Sequence, residues 1–189
     1  MRCFLAVETT DETRRLLDRL QRRLAGIIRD IRWARAEQLH LTLEFLGEVT
    51  DGFPAAAAGP LATACAGHPA FPARLAGLGA FPDPRRARVL WVGIGQGRAE
   101  LIRLQRSVAA AVAAIGHQPE RRPYSPHLTL GRLRRAADAT PAVTAKTTLP
   151  LLEQLAALEI PVQRVILIRS ELRSDGPHYT EIAAFPLAE

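Results

Sequence analysis

The chain has 189 residues, 48% of them hydrophobic, and a formal net charge of +6. This length suits one domain, or two small lobes that share a core. No apolar run approaches the ~20 residues of a membrane helix, and the N-terminal segment turns polar too early for a signal peptide. We therefore predict a cytoplasmic protein without membrane contact. Cys3 and Cys65 lack metal or redox spacing and are expected to be buried, without a disulfide.

The positive charge comes from 24 arginines and one lysine, Lys146. A basic balance favours acidic partners such as nucleic acids. A chain rich in arginine and alanine is also what a GC-rich genome encodes, so the charge only supports this interpretation. Since the chain has neither a long basic tail nor an aromatic-basic motif for RNA stacking, we expect contact at a nucleic-acid end or a phosphate.

Hydrophobic periodicity and turn residues predict strands alternating with helices along the whole chain. Thr9 or Thr10 is expected to cap the first helix, and residues 134–144 are expected to form a loop. In chain order, the predicted elements are strand 2–8, helix 11–28, strand 31–34, strand 39–49, helix 54–67, strand 72–81, strand 88–94, helix 98–116, strand 127–133, helix 147–158, strand 162–173 and strand 179–187.

The tetrapeptide His-Leu-Thr-Leu occurs twice, beginning at His40 and at His127. Each copy lies in a predicted strand, where residues two apart share a face. His40 and Thr42 therefore share one face, as do His127 and Thr129, while the leucines point to the core. A single His-x-Thr is common in strands and means little by itself. Two matching copies in a chain with five histidines predict a paired functional site.

A weak internal repeat surrounds these tetrapeptides. A strand, a helix containing Leu-Gln-Arg and a His-x-Thr strand occur in that order twice, with Leu20-Gln21-Arg22 in the first copy and Leu104-Gln105-Arg106 in the second. We predict an α+β fold in which two pseudo-symmetric lobes of mainly antiparallel sheet carry helices on the outside. Residues 1–189 would form one bilobal domain with the active site in the central cleft.

Two imidazoles and two hydroxyls in one cleft suit phosphoryl chemistry without a metal. One histidine can activate water while the other protonates the leaving oxygen, and threonine hydroxyls can stabilise the charge that develops on phosphate oxygens. Zinc bound by His40, His127 and Glu44 is a weaker interpretation, because the chain lacks the usual His-rich ligand spacings. A serine hydrolase is disfavoured because no Gly-x-Ser-x-Gly elbow is present.

These motifs resemble the two-histidine (2H) phosphoesterase superfamily, which has two His-x-Thr/Ser motifs on facing strands. Within it, the chain is most similar to the bacterial and archaeal RNA 2′,3′-cyclic phosphodiesterase branch, also called 2′-5′ RNA ligases. The similarity covers nearly the whole chain. It is carried by Arg2–Val7, Arg32–Leu43, Phe45–Val49, Arg88–Trp91, Arg122–Leu130, Arg132, Arg169–Leu172, Gly176–Tyr179 and Phe185–Leu187.

The resemblance implies opening of a 2′,3′-cyclic phosphate at an RNA 3′ end to leave a 2′-phosphate, without a metal or other cofactor. His40 would donate a proton to the leaving 3′ oxygen, and His127 would activate water. Thr42 and Thr129 would bind the phosphate. RNA 3′ ends with a cyclic phosphate, tRNA fragments among them, would be the partners, and no obligate protein partner is implied. The resemblance also implies possible ligation, since some relatives join RNA ends through a 2′-5′ linkage.

Strand alternation decides on which face two charged residues near the motifs, Arg132 and Glu44, are predicted to lie. Arg132 is the expected phosphate partner, although strict alternation from His127 points it away from the site unless a bulge intervenes. Alternation also places Glu44 on the same side as His40, in the cleft or at its rim. The family usually has a basic residue at the position of Glu44.

Phe4 and Tyr124 are the candidates for stacking a terminal base, and a place in the core or at the rim is the other interpretation of each. The remaining histidines are expected to lie at the surface; they are His68, His117 and His178.

Two other functions are compatible with these residues. One is an RNA-end binding module that uses the cleft without turnover, although a binder has no need of a matched acid and base. The other is a phosphodiesterase for another cyclic phosphate or for a 2′-5′ oligonucleotide, because the motifs recognise the phosphate rather than the base.

Overall fold

The computed structural model describes residues 1–120, 122–174 and 176–189, and ten strands and five helices lie within them. The strands are β1 (Arg2–Glu8), β2 (Ile31–Trp33), β3 (His40–Glu48), β4 (Phe71–Ala73), β5 (Leu75–Phe81), β6 (Ala87–Ile94), β7 (His127–Ala137), β8 (Ile160–Val162), β9 (Arg164–Arg173) and β10 (Gly176–Pro186). The helices are α1 (Asp11–Ala25), α2 (Phe53–Ala66), α3 (Arg98–Ala114), α4 (Thr140–Val143) and α5 (Leu149–Ala157).

Eight strands form one antiparallel sheet in the order β10-β9-β1-β3-β7-β6-β5, with β2 paired to β7 outside this path. The sheet divides into two halves of four strands each, β10-β9-β1-β3 and β2-β7-β6-β5. A single residue pair, Leu41 with Leu128, joins β3 to β7 within the described part of the chain. The predicted α+β fold with two related antiparallel halves is confirmed.

Helices cover the sheet in a crossed arrangement. Helix α1 follows β1 in sequence but packs with α5, which contacts β5 in the other half-sheet. Helix α3 follows β6 but packs with α2 and β3. Each half-sheet is therefore covered by the helix that belongs, in sequence, to the other repeat. This exchange places helix side chains of one lobe beside the His-x-Thr strand of the other.

Helix α1 shows how the local sequence produces this arrangement. The Thr10 hydroxyl caps its N-terminus by accepting a hydrogen bond from the Thr13 backbone N–H at 3.1 Å. Such a cap stabilises a helix by ~1 kcal/mol. Its buried stripe, Leu17, Leu20 and Leu24, enters a core that also contains both cysteines, which are free as predicted.

Several predicted boundaries are wrong. Helix α1 ends at Ala25 rather than at residue 28. The predicted loop 134–144 is instead the end of β7 followed by α4, because β7 continues along β6 to a final pair of Ala137 with Ala87.

Two predicted strands are each interrupted by one residue, since the chain changes sheets there. Arg74 divides strand 72–81 into β4 and β5, and Gln163 divides strand 162–173 into β8 and β9. Strands β4 and β8 then pair with each other as a separate small sheet. Between the predicted strands 162–173 and 179–187, Asp175 lies outside the described residues. No described helix is long and apolar enough to cross a membrane.

Candidate active site

The two His-x-Thr motifs meet where the two half-sheets join. Leu41 pairs with Leu128 in an antiparallel register. This register sets His40 opposite Thr129, and Thr42 opposite His127, on the face away from the core. Motifs that lie 87 residues apart in sequence thus occupy neighbouring strands. The fold brings the four predicted residues onto one face of two neighbouring strands.

A cleft of about 550 Å³ opens on this face. His40, Thr42 and Thr129 line it, together with Arg132. His127 does not line this volume; its ring packs edge-on against Phe81 at 4.9 Å and beside Trp91 at 6.0 Å. The other lining residues are Arg2, Cys3, Phe4, Arg32, Trp33, Ala34, Gln38, Phe45, Gly47, Gly131, Ser170, Leu172, Pro177 and Tyr179.

His40 lies in an aromatic environment. Its ring stacks on Phe4, with centroids 4.7 Å apart, and meets the edge of Tyr179 at 5.4 Å. Burial lowers the pKa of His40 to about 4, and a hydrogen bond with the Gln38 backbone acts in the opposite direction. His40 is therefore neutral at pH 7 when the cleft holds no anion.

His127 has a fixed tautomer. Its Nδ1 lies 2.6 Å from the carbonyl oxygen of Ser125. Because a carbonyl only accepts, Nδ1 carries the proton and Nε2 keeps a free lone pair. Burial lowers the pKa of His127, the Ser125 bond opposes this, and the positive charge of Arg132 adds to it. A neutral imidazole with a free Nε2 is suited to act as a base.

A bulge follows each His-x-Thr motif and changes which residues face the cleft. In β3, Thr42 pairs with Ala6 and Glu44 pairs with the next residue of β1, so one residue of β3 is extra. In β7, Thr129 and Gly131 pair with successive residues of β6 in the same way. Alternation is reset by one residue at both places.

The bulges correct two sequence expectations. Arg132 is exposed and lines the cleft, as only a bulge would permit. Phe45, which was not predicted to contribute, also lines the cleft and is 60% exposed. The expectation that Glu44 shares the face of His40 is wrong, because Glu44 is only 2% exposed and points away from the cleft.

Glu44 instead holds the segment that precedes β7. Its carboxylate accepts hydrogen bonds from Gln105 Nε2 at 2.9 Å and from the Glu120 backbone N–H at 3.1 Å. His117 Nε2 lies 3.9 Å from the same carboxylate, and the His117 side chain is only 13% exposed. The expectation that His117 lies at the surface is therefore wrong, because its ring packs beside a buried acid.

The glutamine of each repeated Leu-Gln-Arg triplet makes a hydrogen bond near one of these bulges. Gln21 of α1 donates from Nε2 to the carbonyl oxygens of Ala34 and Leu130, at 2.8 and 2.9 Å. Gln105 of α3 makes the corresponding contact with Glu44. Each glutamine reaches the bulged strand of the opposite lobe, so the crossed helices hold the two bulges that follow the His-x-Thr motifs.

The two aromatic candidates take different positions. Phe4 is buried and forms part of the cleft floor under His40. Tyr124 donates its hydroxyl to the Thr42 carbonyl at 2.9 Å and is not among the lining residues, and burial raises its pKa. Base stacking remains a prediction for both, and the placement of Tyr124 favours a role in fixing β3. The more exposed side chains Phe45 and Leu172 offer apolar surface at the rim.

Comparison with known proteins agrees with this geometry. The model of the 2′-5′ RNA ligase superfamily matches residues 19–173. The chain belongs to this superfamily.

Three similar proteins match over nearly their full length. The RNA 2′,3′-cyclic phosphodiesterase of Methanothermobacter thermautotrophicus is 32% identical over 189 residues, which is 99% of each chain. TT0787 of Thermus thermophilus superposes with a TM-score of 0.80 at 31% identity, covering 98% of this chain and 97% of that one. Apo LigT of E. coli gives a TM-score of 0.76 at 26% identity, with 100% and 98% covered.

For this member of the superfamily, the sequence identified the His-x-Thr residues but missed Phe45 and the buried role of Glu44. Alternation has no way to detect an extra residue in a strand, since the pattern simply changes phase. Gly131 was the available signal, because a glycine in a strand often marks a bulge or a close approach. A Cβ at Gly131 would lie 2.8 Å from the Ile31 side chain.

Proposed function

We propose that the chain hydrolyses RNA 2′,3′-cyclic phosphate ends to 2′-phosphomonoesters by two-histidine acid/base catalysis that needs no metal. The observation that carries this proposal is the register at Leu41 and Leu128, which sets the two His-x-Thr pairs opposite each other on neighbouring strands beside the cleft. The names of the relatives, RNA 2′,3′-cyclic phosphodiesterases, support the substrate class. E. coli LigT, with a TM-score of 0.76, has been solved with 3′-AMP, which resembles one end of an RNA chain.

Each step can be assigned to one side chain. Nε2 of His127 accepts a proton from water, and the water oxygen forms a bond to phosphorus. The bond from phosphorus to O3′ breaks, and His40 donates a proton to O3′, which leaves the phosphate on O2′. Thr42 and Thr129 donate hydrogen bonds to the nonbridging oxygens, where negative charge increases in the transition state.

His40 must acquire its proton when the substrate binds. With a pKa of about 4 in the empty cleft, it is mostly neutral at pH 7. A phosphodiester anion beside the ring favours the imidazolium form, because an opposite charge within a few ångströms raises the pKa of a histidine. Arg132, which has no acidic partner within 4 Å among the described residues, is placed to bind the same anion.

Independence from metals is part of the proposal. Within residues 1–120, 122–174 and 176–189, no three His, Cys, Asp or Glu side chains lie close enough together to hold a metal ion. Activity is therefore expected to survive EDTA.

The test uses a short RNA that ends in a 2′,3′-cyclic phosphate, incubated with the protein in EDTA. We expect the wild type to open the ring, and His40→Ala and His127→Ala each to lower kcat by about 10²–10⁴-fold. His68→Ala is the matched control, since His68 bonds Ser107 outside the cleft, and it should retain the wild-type rate. RNA binding without turnover would overturn the enzyme proposal in favour of a binding module.

The product reports which oxygen leaves. A 2′-phosphate is expected, because His40 is assigned to protonate O3′, and a 3′-phosphate would reverse the two assignments. Adding RNA with a 5′-hydroxyl to the same reaction tests whether that hydroxyl can replace water as the nucleophile, so that the P–O3′ bond breaks and the two ends are joined through a 2′-5′ linkage.

A further inference from the structure

Two arginines face each other across neighbouring strands in the cleft. Arg32 of β2 pairs directly with Arg132 of β7, and both side chains are exposed and line the cleft. Like charges in directly opposed positions destabilise a sheet. Arg134 follows on the same face of β7, about 7 Å further along the strand. Three cations therefore form a row that begins in the cleft and leaves it.

The charge of this row is not balanced by acids in the described part of the chain. Among those residues, no carboxylate lies within 4 Å of the guanidinium groups of Arg32, Arg132 or Arg134. Arginines elsewhere on the molecule do have acidic partners. Arg164, for example, contacts both Glu8 and Glu181. The row is therefore a positive strip beside a phosphate site.

The strip belongs to one lobe only. In the related strand β3, the residues at the matching places after the bulge are Phe45 and Gly47. Gly176 leaves space for the Arg32 side chain, because a Cβ at position 176 would lie 2.9 Å from Arg32 Nη2. Next to the bulges, the β3 side of the cleft is thus apolar and the β7 side is cationic, while Arg2 of β1 lines the cleft further along the β3 half-sheet.

We propose that Arg32 and Arg134 bind the phosphodiester on the 5′ side of the terminal nucleotide, so that the preferred substrate is an oligoribonucleotide end rather than a cyclic mononucleotide. This inference rests on the proposed function. The cyclic phosphate occupies the two His-x-Thr pairs and Arg132. A cyclic mononucleotide has no second phosphate and leaves the outer cations without a partner. An RNA chain supplies one phosphate per nucleotide, and basic strips that track the backbone are how proteins hold single strands.

The test compares a 2′,3′-cyclic mononucleotide with a dinucleotide and a tetranucleotide that end in the same cyclic nucleotide. We expect kcat/KM to rise about tenfold from mononucleotide to dinucleotide, mainly through KM, because a charge-assisted contact to phosphate is gained. Arg32→Gln and Arg134→Gln should each remove most of this gain. They should also reduce the slope of log kcat/KM against log salt by about one for the oligonucleotides.

Arg135→Gln is the matched control, because Arg135 is exposed, carries the same charge and is adjacent in sequence, whereas Arg134 continues the alternation from Arg132 through its backbone hydrogen bond to Asp30. It should leave the length dependence unchanged, and thermal melting checks that each variant is folded. Equal kcat/KM for mononucleotide and oligonucleotides, or equal effects of Arg134→Gln and Arg135→Gln, would overturn the inference. If no cyclic phosphate is opened at all, the proposed function fails, and fluorescence anisotropy with the same oligonucleotides still tests the strip.

Discussion

At the scale of single residues, the two histidines occupy equivalent places but different surroundings. His40 is enclosed by Phe4 and Tyr179, whereas His127 is oriented by the Ser125 carbonyl and lies near Arg132. Both are neutral in the empty cleft, and only the arrival of an anion favours a proton on either. In the free protein both imidazoles are therefore in the form that can act as a base. Binding of the anionic substrate favours the protonated imidazole that acts as the acid.

The lowered pKa of His40 predicts how stability depends on pH. Between about 4 and 6.5, the unfolded chain binds a proton on His40 that the folded chain does not. The free energy of unfolding should therefore rise with pH across this window and show no further contribution from His40 above it. His40→Gln should remove this dependence, a difference of at most about 3 kcal/mol at the acidic end.

Urea denaturation of both proteins from pH 4 to 8 measures this difference. The wild type should lose stability relative to His40→Gln as the pH falls. Parallel curves would show that the His40 ring titrates alike in the folded and unfolded chains.

At the scale of the elements, function depends on two bulges held by helices of the opposite lobe. The bulge in β7 turns Arg132 into the cleft, and Gln21 fixes it by bonding the Leu130 carbonyl. A buried hydrogen-bond donor that serves two carbonyls at once is costly to remove, because both acceptors lose their partner.

Gln21→Leu should therefore reduce the free energy of unfolding by about 1–3 kcal/mol and raise KM for the cyclic phosphate, since Arg132 loses its fixed position. Gln154→Leu, in the exposed face of α5, is the control and should change neither quantity. Steady-state kinetics and urea denaturation give the two readouts. A loss of stability with an unchanged KM would mean that Gln21 supports the fold but not the site.

The order of elements was predictable because strands and helices have distinct apolar periods, which the chain follows closely from β1 onward. The bulges could not be predicted, because a single extra residue in a strand is recognised only when the register with the partner strand is known. Pairing partners such as β1 and β3 are separated by a whole helix, and the exchange of α1 and α3 between lobes has no local signature. The sequence therefore predicted His40, Thr42, His127 and Thr129 but misplaced Glu44.

At the scale of the whole molecule, the two halves of the chain complete one site. Neither half-sheet contains both histidines, and the described halves meet at one residue pair. Because acid and base act on the same transition state, the loss of either should abolish the benefit of the other. The double variant His40→Ala/His127→Ala should then be about as slow as the slower single variant, and not the product of both effects.

Single-turnover rates of the three variants, measured with a cyclic dinucleotide, provide the comparison. Fully multiplicative losses would indicate two independent contributions rather than one concerted pair. Circular dichroism of each variant verifies that the halves remain assembled.

The two bulges are matched in position but not in chemistry. In a 2′,3′-cyclic phosphate, the two ring oxygens have nearly equivalent surroundings at phosphorus, and the four His-x-Thr side chains beside them are related by pseudo-twofold symmetry. Beyond each bulge, the exposed side chain that lines the cleft is Phe45 on β3 and Arg132 on β7. The regiochemistry of ring opening therefore depends on how an apolar rim and a cationic rim orient the ribose, although neither rim transfers a proton.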